Sequence, residues 1–144
     1  MPERTAEAEW RGNLRQGRGT MRFGSGAYEG EYTYASRFEE GAGTNPEELI
    51  GAAHAGCFSM ALAGDLARDG HVPERIHTTS HVFLGTGAGG ARITRVVLDC
   101  EAEVPDLDET TFQEYADTAR KNCPVSRALT GVDIAVNARL LGVK

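Results

Sequence analysis

Apolar and polar positions alternate through the first third of the chain, in short runs separated by glycine. Ala8, Trp10 and Gly12 mark one run and Thr20-Met21-Arg22-Phe23 a second; Gly24-Ser25-Gly26 then turns into a third over 27–34. A period of two punctuated by glycine turns predicts β-strands. Residues 36–44 are polar and contain glycine, which predicts a mobile or functional loop.

The pattern then changes to a long apolar stretch with a strong helix start. Asn45 can cap free backbone N–H groups, Pro46 suits the first helical position, and Glu47 and Glu48 complement the positive end of the helix dipole. The helix is predicted to run to about Asp69 and to stop at Gly70. Its body is dense in small residues (Gly51, Ala52, Ala53, Ala55, Gly56, Ala61, Ala63, Gly64), so other backbones can approach it closely on several sides, a symmetry mate's among them.

Alternation returns after Pro73, over 76–84 and 91–104. In the second run Val96, Leu98, Cys100, Ala102 and Val104 share one face, while Asp99, Glu101 and Glu103 share the other. Residues 108–121 read as an amphipathic helix with Phe112, Tyr115, Ala116 and Ala119 inward. A short helix is predicted from Cys123 to near Gly131, and a last strand over 132–140. Strands, helix, strands, helices, strand: this order predicts an α+β fold, a single domain over 1–144, rather than a doubly wound α/β one.

Composition narrows the function classes. A chain of 144 residues with 40% hydrophobic and 25% charged content suits one soluble domain that needs no disulfide scaffold. A net charge of −6, with no run of Lys and Arg, argues against nucleic acid or an anionic membrane as partner. The N-terminal residues lack an apolar core of the signal-peptide kind, and no apolar stretch approaches about 20 residues, so no membrane span is expected. Three cysteines, an odd number, fit a reducing cytoplasm better than a disulfide framework.

Those cysteines are the candidate chemistry. Cys100 falls on the apolar face of its strand, where a thiol is an inert small hydrophobe. Cys123 precedes Pro124, so Cys123 or Asn122 caps the short helix; a thiol beside unpaired amides has a lowered pKa, and Arg120, Lys121 and Arg127 could add positive charge. Cys57 sits mid-helix without help from a dipole and needs an external cation to become a thiolate. His54 lies three residues earlier on the same face, either orienting that thiol or simply packed. Local physics alone therefore favours Cys123 as the reactive thiol. Gly85-Thr86-Gly87-Ala88-Gly89-Gly90 matches the dinucleotide fingerprint formally, but the residues after it alternate like a strand, so a loose hairpin loop is expected and no cofactor. No Cys-x-x-Cys pair accompanies His54, Cys57 and Cys123, so no metal is expected either.

Arg37-Phe38-Glu39, the segment Gly43-Thr44-Asn45-Pro46-Glu47-Glu48-Leu49-Ile50-Gly51-Ala52-Ala53-His54-Ala55-Gly56-Cys57-Phe58-Ser59-Met60-Ala61-Leu62, and Cys123-Pro124-Val125-Ser126 together resemble the OsmC/Ohr family of bacterial thiol peroxidases, its osmotically inducible protein C branch above all. The resemblance covers essentially the whole chain. It implies antiparallel sheets wrapped around a long central helix in an intertwined homodimer, with active sites at the subunit interface. It implies reduction of organic hydroperoxides, and less efficiently of hydrogen peroxide. By motif position Cys57 is implied as the peroxidatic nucleophile, Cys123 as its resolving cysteine, and Arg37 and Glu47 as the pair that activates Cys57; Arg18 is an outside candidate for the arginine. The implied reductant is an external dithiol of lipoyl type.

Ten positions separate Glu47 from Cys57, about 15 Å along an ideal helix and about 80° around its axis. A carboxylate so placed does not reach the thiol of its own helix, which leads to the expectation that the Arg37–Glu47 pair comes from the partner subunit. The alternatives are a non-catalytic redox-sensing or ligand-binding module of the same fold, and two merely buried thiols.

Overall fold

The computed structural model describes residues 1–142 of the chain. Six strands and four helices follow in the order β1 (Ala6–Arg11), β2 (Arg18–Phe23), β3 (Glu29–Tyr32), α1 (Tyr34–Phe38), α2 (Pro46–Arg68), β4 (Arg75–Gly87), β5 (Gly90–Glu103), α3 (Glu109–Asn122), α4 (Pro124–Ala128) and β6 (Asp133–Leu141). The chain divides into two compact units, Met1–Leu49 and Ile50–Lys144.

The first unit is an antiparallel three-stranded sheet in the order β1-β2-β3, with Trp10 opposite Gly19 and Gly19 opposite Tyr32. The missing side chain at Gly19 lets the Trp10 and Tyr32 rings meet across it, centroids 5.2 Å apart; an added Cβ there would sit 2.6 Å from the Tyr32 ring and 2.7 Å from that of Trp10. The segment expected to be a loop from Ser36 onward instead begins inside α1. Thr33 caps this helix: its hydroxyl accepts the Ser36 N–H at 3.1 Å while the Ser36 hydroxyl accepts the Thr33 N–H at 2.8 Å. This is a reciprocal capping box with Ser in the place usually held by Glu or Gln, which is why a five-residue helix escapes a sequence scan.

The second unit carries most of α2 and the sheet β4-β5-β6. α2 stops where expected: Gly70 has φ +88°, its N–H bonds the Ala67 carbonyl at 3.0 Å, and the His71 N–H returns to Leu66 at 2.8 Å. These two bonds satisfy carbonyls the helix end leaves free. By length and composition, with a mean hydropathy of 1.3 over 18 residues, α2 is long and apolar enough to cross a bilayer, contrary to the expectation that no stretch approaches that size. Its inward stripe, however, is built into a folded core: Phe58, Leu62 and Leu66 are fully buried and pack with Val96, Leu98, Ala102, Phe112 and Ala119. Burying each large side chain of this kind stabilises the fold by roughly 1.5–3 kcal/mol.

β4 and β5 form a long antiparallel hairpin whose pairing continues to Gly87 opposite Gly90. The glycine-rich segment is thus mostly strand, closed by a tight turn rather than a loose loop, and no helix follows it to receive a dinucleotide. On β5, Val96, Leu98, Cys100 and Ala102 are all buried, as is Val104 just beyond its end. α3 is capped by Asp108, whose carboxylate accepts the Thr111 N–H at 2.7 Å, and it buries Phe112, Ala116 and Ala119. β6 departs from antiparallel order: it pairs in parallel with β5, Val96 opposite Ile134 and Ala102 opposite Leu140. The crossover through α3 and α4 carries the chain back to the starting end of β5, as parallel pairing requires.

Candidate active site

Cys123, not Asn122, caps α4. Its backbone is extended (φ −60°, ψ 136°), Pro124 follows at the first helical position, and Sγ accepts the Ser126 N–H at 3.3 Å. Two of the three cations expected to assist it are engaged elsewhere, since Arg120 and Lys121 both bind Asp117, at 2.8 and 3.0 Å. Its polar neighbour is Ser126, whose Oγ lies 3.1 Å from Cys123 Sγ and 2.7 Å from His54 Nε2. Ser126 thereby links the cap of α4 to the middle of α2.

His54 is fully buried, and its Nδ1 has no hydrogen-bond partner among the described residues. Leaving a buried polar atom unpaired costs about 1–3 kcal/mol. Burial also holds the imidazole below its ordinary pKa of 6.5, so the ring is neutral at neutral pH. Of the two roles open to it in the sequence, orienting Cys57 or packing, the geometry gives a third: His54 is bonded to Ser126, which in turn bonds the Cys123 cap.

Cys57 follows His54 by three residues, is half-buried, and packs against the core that holds Cys123. Burial pushes its thiol above the ordinary value; the Val125 backbone N–H acts in the opposite direction, and the hydrogen bond and charge of Cys123 push it up further. The two thiols are therefore neighbours, and all three cysteines are free. Cys100 is buried within its strand, and burial raises its thiol as well, with Thr78 hydrogen-bonding to it. Phe58, next to Cys57 on the same helix, lies entirely in the core, whereas Met60 is 78% exposed. A groove of about 530 Å³ runs between α2 and α3, lined by Ala61, Asp65, Asp69, Tyr115 and Asn122 among others, and neither Cys57 nor Cys123 lines it.

In the first unit Arg37 and Glu47 form the expected ion pair. Arg37 Nε and Nη2 both reach Glu47 Oε1, at 3.1 and 2.8 Å, and Nε is 3.3 Å from Oε2. Glu47 is only 7% exposed. Sequence-local bonds fix the pair: the Ser36 hydroxyl donates to the Thr44 carbonyl at 2.7 Å, and Asn45 Nδ2 donates to the Ser36 carbonyl at 3.0 Å, tying α1 to the start of α2. The Glu47 carboxylate is taken by Arg37; Arg18, the outside candidate, is exposed at the start of β2 opposite Arg11.

The structure thus assembles two constellations, Cys57–Cys123 with Ser126 and His54, and Arg37–Glu47. Ser126 is the residue that sequence reasoning left without a role, although its place three positions after a Cys-Pro cap marks it as the donor to that cap. Among the described residues no group of three or more His, Cys, Asp or Glu side chains is placed to hold a metal ion.

This is the site of a dithiol protein on an α+β scaffold, and comparison with known proteins places it further. A sequence model described as OsmC-like protein matches residues 39–137, and the chain belongs to that family. It is 44% identical over 124 residues to peroxiredoxin OsmC of Escherichia coli strain K12, covering 85% of this chain and 87% of that one. It is 35% identical over 98 residues to an organic hydroperoxide resistance protein of Xanthomonas axonopodis pv. citri, covering 67% of each. Among solved structures, an OsmC-like protein of unknown function from Vibrio cholerae superposes with a TM-score of 0.76 at 17% identity, over 96% of this chain and 99% of that one. The organic hydroperoxide resistance protein OhrB of Bacillus subtilis gives 0.70 at 25% identity, over 94% and 98%. The fold is that of the OsmC/Ohr proteins.

Proposed function

We propose that this protein is a thiol-dependent peroxidase that reduces organic hydroperoxides, and hydrogen peroxide less efficiently, to alcohols and water. The observation that carries this reading is a half-buried Cys57 neighbouring a fully buried Cys123. One thiol is open to a substrate and the other is held behind it, the arrangement a nucleophile and its resolving partner need. The names of the Escherichia coli and Xanthomonas relatives, a peroxiredoxin and an organic hydroperoxide resistance protein, support the same chemistry.

The Cys57 thiolate attacks the O–O bond; the S–O bond forms as the O–O bond breaks, and the alkoxide leaves with a proton as the alcohol. Cys123 then displaces hydroxide from the Cys57 sulfenic acid to give a disulfide, which an external dithiol of lipoyl type reduces. Within this chain burial keeps the Cys57 thiol protonated, so the nucleophile needs an imported cation. Arg37, held by Glu47, is that cation, supplied by the partner subunit of an intertwined homodimer whose active sites lie at the interface. The small-residue face of α2, where Ala52, Ala53, Gly56 and Gly64 are exposed, is consistent with close approach of such a partner. The family match crosses both compact units, which supports one 144-residue OsmC-like domain working as a whole, in the cytoplasm.

Thiol counting before and after one equivalent of an organic hydroperoxide tests the reading. Loss of two thiols per chain with Cys100 still free is expected; an unchanged count rejects it. Loss of the same two thiols without catalytic turnover in the presence of a dithiol would instead identify a redox-sensing module.

A further inference from the structure

Cys123 has no access to solvent, yet the resolving step requires it to lose a proton. Water cannot serve as the base, and among the described residues the hydroxyl of Ser126 is the polar side-chain group hydrogen-bonded to its sulfur. Behind Ser126 stands the imidazole of His54, so that Sγ, Oγ and Nε2 form a chain with steps of 3.1 and 2.7 Å. Both steps fall within the range over which a proton passes between positioned groups. Among the described residues the far nitrogen of the ring has no partner, and an aliphatic side chain would fill the same place in the core without that penalty. A fully buried histidine with one nitrogen on a serine and the other on nothing has the geometry of a proton acceptor.

We propose that Ser126 and His54 form a proton relay that deprotonates Cys123 during disulfide closure, Ser126 acting on the sulfur and His54 acting through Ser126 as a positioning and accepting residue. The step balances as follows. The Cys123 S–H proton moves to Ser126 Oγ as the Ser126 O–H proton moves to His54 Nε2. The freed electron pair of Cys123 sulfur forms the S–S bond to Cys57, and the S–O bond of the Cys57 sulfenic acid breaks. The departing hydroxide becomes water with the proton returned from His54. The two electrons were supplied to the hydroperoxide in the preceding step, so no further oxidant is needed. The Ser126 N–H stays bonded to Cys123 sulfur throughout and stabilises the transient thiolate. His54 is neutral at rest because burial disfavours its charge; the same burial makes any proton it takes up short-lived, to be passed on as hydroxide departs.

The relay rests on the peroxidase reading, and single-turnover kinetics with cumene hydroperoxide separate the two. Cys57 oxidation is followed by trapping of the sulfenic acid with dimedone, and closure by disulfide formation, in the wild type, Ser126→Ala and His54→Gln. Glutamine keeps a hydrogen bond to Ser126 but cannot take a proton. In both variants the ratio of closure rate to oxidation rate is expected to fall about 10²-fold, with sulfenic and then sulfinic acid accumulating at Cys57. Ser126→Thr, which keeps the hydroxyl, restores the ratio to within about tenfold of the wild type under the same general-base accounting. A closure-to-oxidation ratio unchanged in His54→Gln overturns the relay while leaving the peroxidase intact. Equal slowing of both steps assigns the residues a structural role and also overturns it. Absence of any Cys57 oxidation in the wild type removes the peroxidase, and the relay with it.

Discussion

α2 begins Asn45-Pro46-Glu47-Glu48 and α4 begins Cys123-Pro124-Val125-Ser126. In each, proline occupies the first helical position and the residue before it accepts the backbone N–H three positions on: Asn45 Oδ1 from Glu48 at 2.7 Å, Cys123 Sγ from Ser126 at 3.3 Å. The local design is the same and the cap atom differs. An amide oxygen at the cap is chemically inert and only anchors the helix, leaving Glu47 in the first turn to hold Arg37. A sulfur at the cap anchors the helix through the same kind of bond, but sets a thiol there in place of an amide. Capping geometry therefore sets where a reactive atom stands; its element decides whether anything reacts.

The largest break in this comparison is at the thiols. Cys57→Ser should reduce hydroperoxide consumption to background, a loss of three or more orders of magnitude on the scale of other removed nucleophiles. Cys123→Ser should keep a capping atom at α4 while stopping disulfide formation, so mass spectrometry after oxidant should find sulfinic acid at Cys57. At the other helix start, Arg37→Ala and Glu47→Gln should each slow Cys57 oxidation by about 10²–10³, the usual cost of losing a positioned electrostatic group. Arg37→Lys should recover little of that rate, because an ammonium cannot reproduce the guanidinium's two nitrogens on Glu47.

Smaller effects sharpen the anchoring half of the comparison. Asn45→Ala should cost about 1 kcal/mol in urea denaturation, an ordinary N-cap loss. His54 gives a pH signature. Its pKa is depressed in the folded state, so above about 6.5 both states are neutral; as pH falls below 6.5 the unfolded chain takes up a proton that the folded one refuses. Stability should therefore decline on acidification from pH 7.5 toward the lowered folded pKa, and His54→Gln should flatten that part of the profile. Cys100→Ala, in a thiol buried within its strand, should leave peroxidase rates unchanged.

Much of the fold is legible because its signals are local: the Asn45-Pro46 start, the Gly70 stop, the period of two that sorts Val96, Leu98 and Cys100 from Asp99 and Glu101. α1 was missed because serine replaces the longer side chain usual in a capping box. The parallel direction of β6 is not written in its own residues, since it depends on where a two-helix crossover returns the chain. The site divides the same way. Pro124 announces Cys123 as a cap, and the Arg37–Glu47 pair follows from motif positions. The bond from His54 to Ser126 joins residues 72 positions apart, and no local periodicity encodes it. Nor does sequence reveal that Arg120 and Lys121 turn away to Asp117.

The parallel β5–β6 pairing also governs the order in which the site is assembled. α3, Cys123 and α4 all lie within the connection between those two strands, over residues 104–132. A parallel pair forms only after its whole crossover has closed, which makes it a late and slow event in folding. Cys57, on a helix with strong local start and stop signals, is placed early; Cys123 reaches it last. Two sulfurs far apart along the chain are therefore brought together by the closing of one crossover.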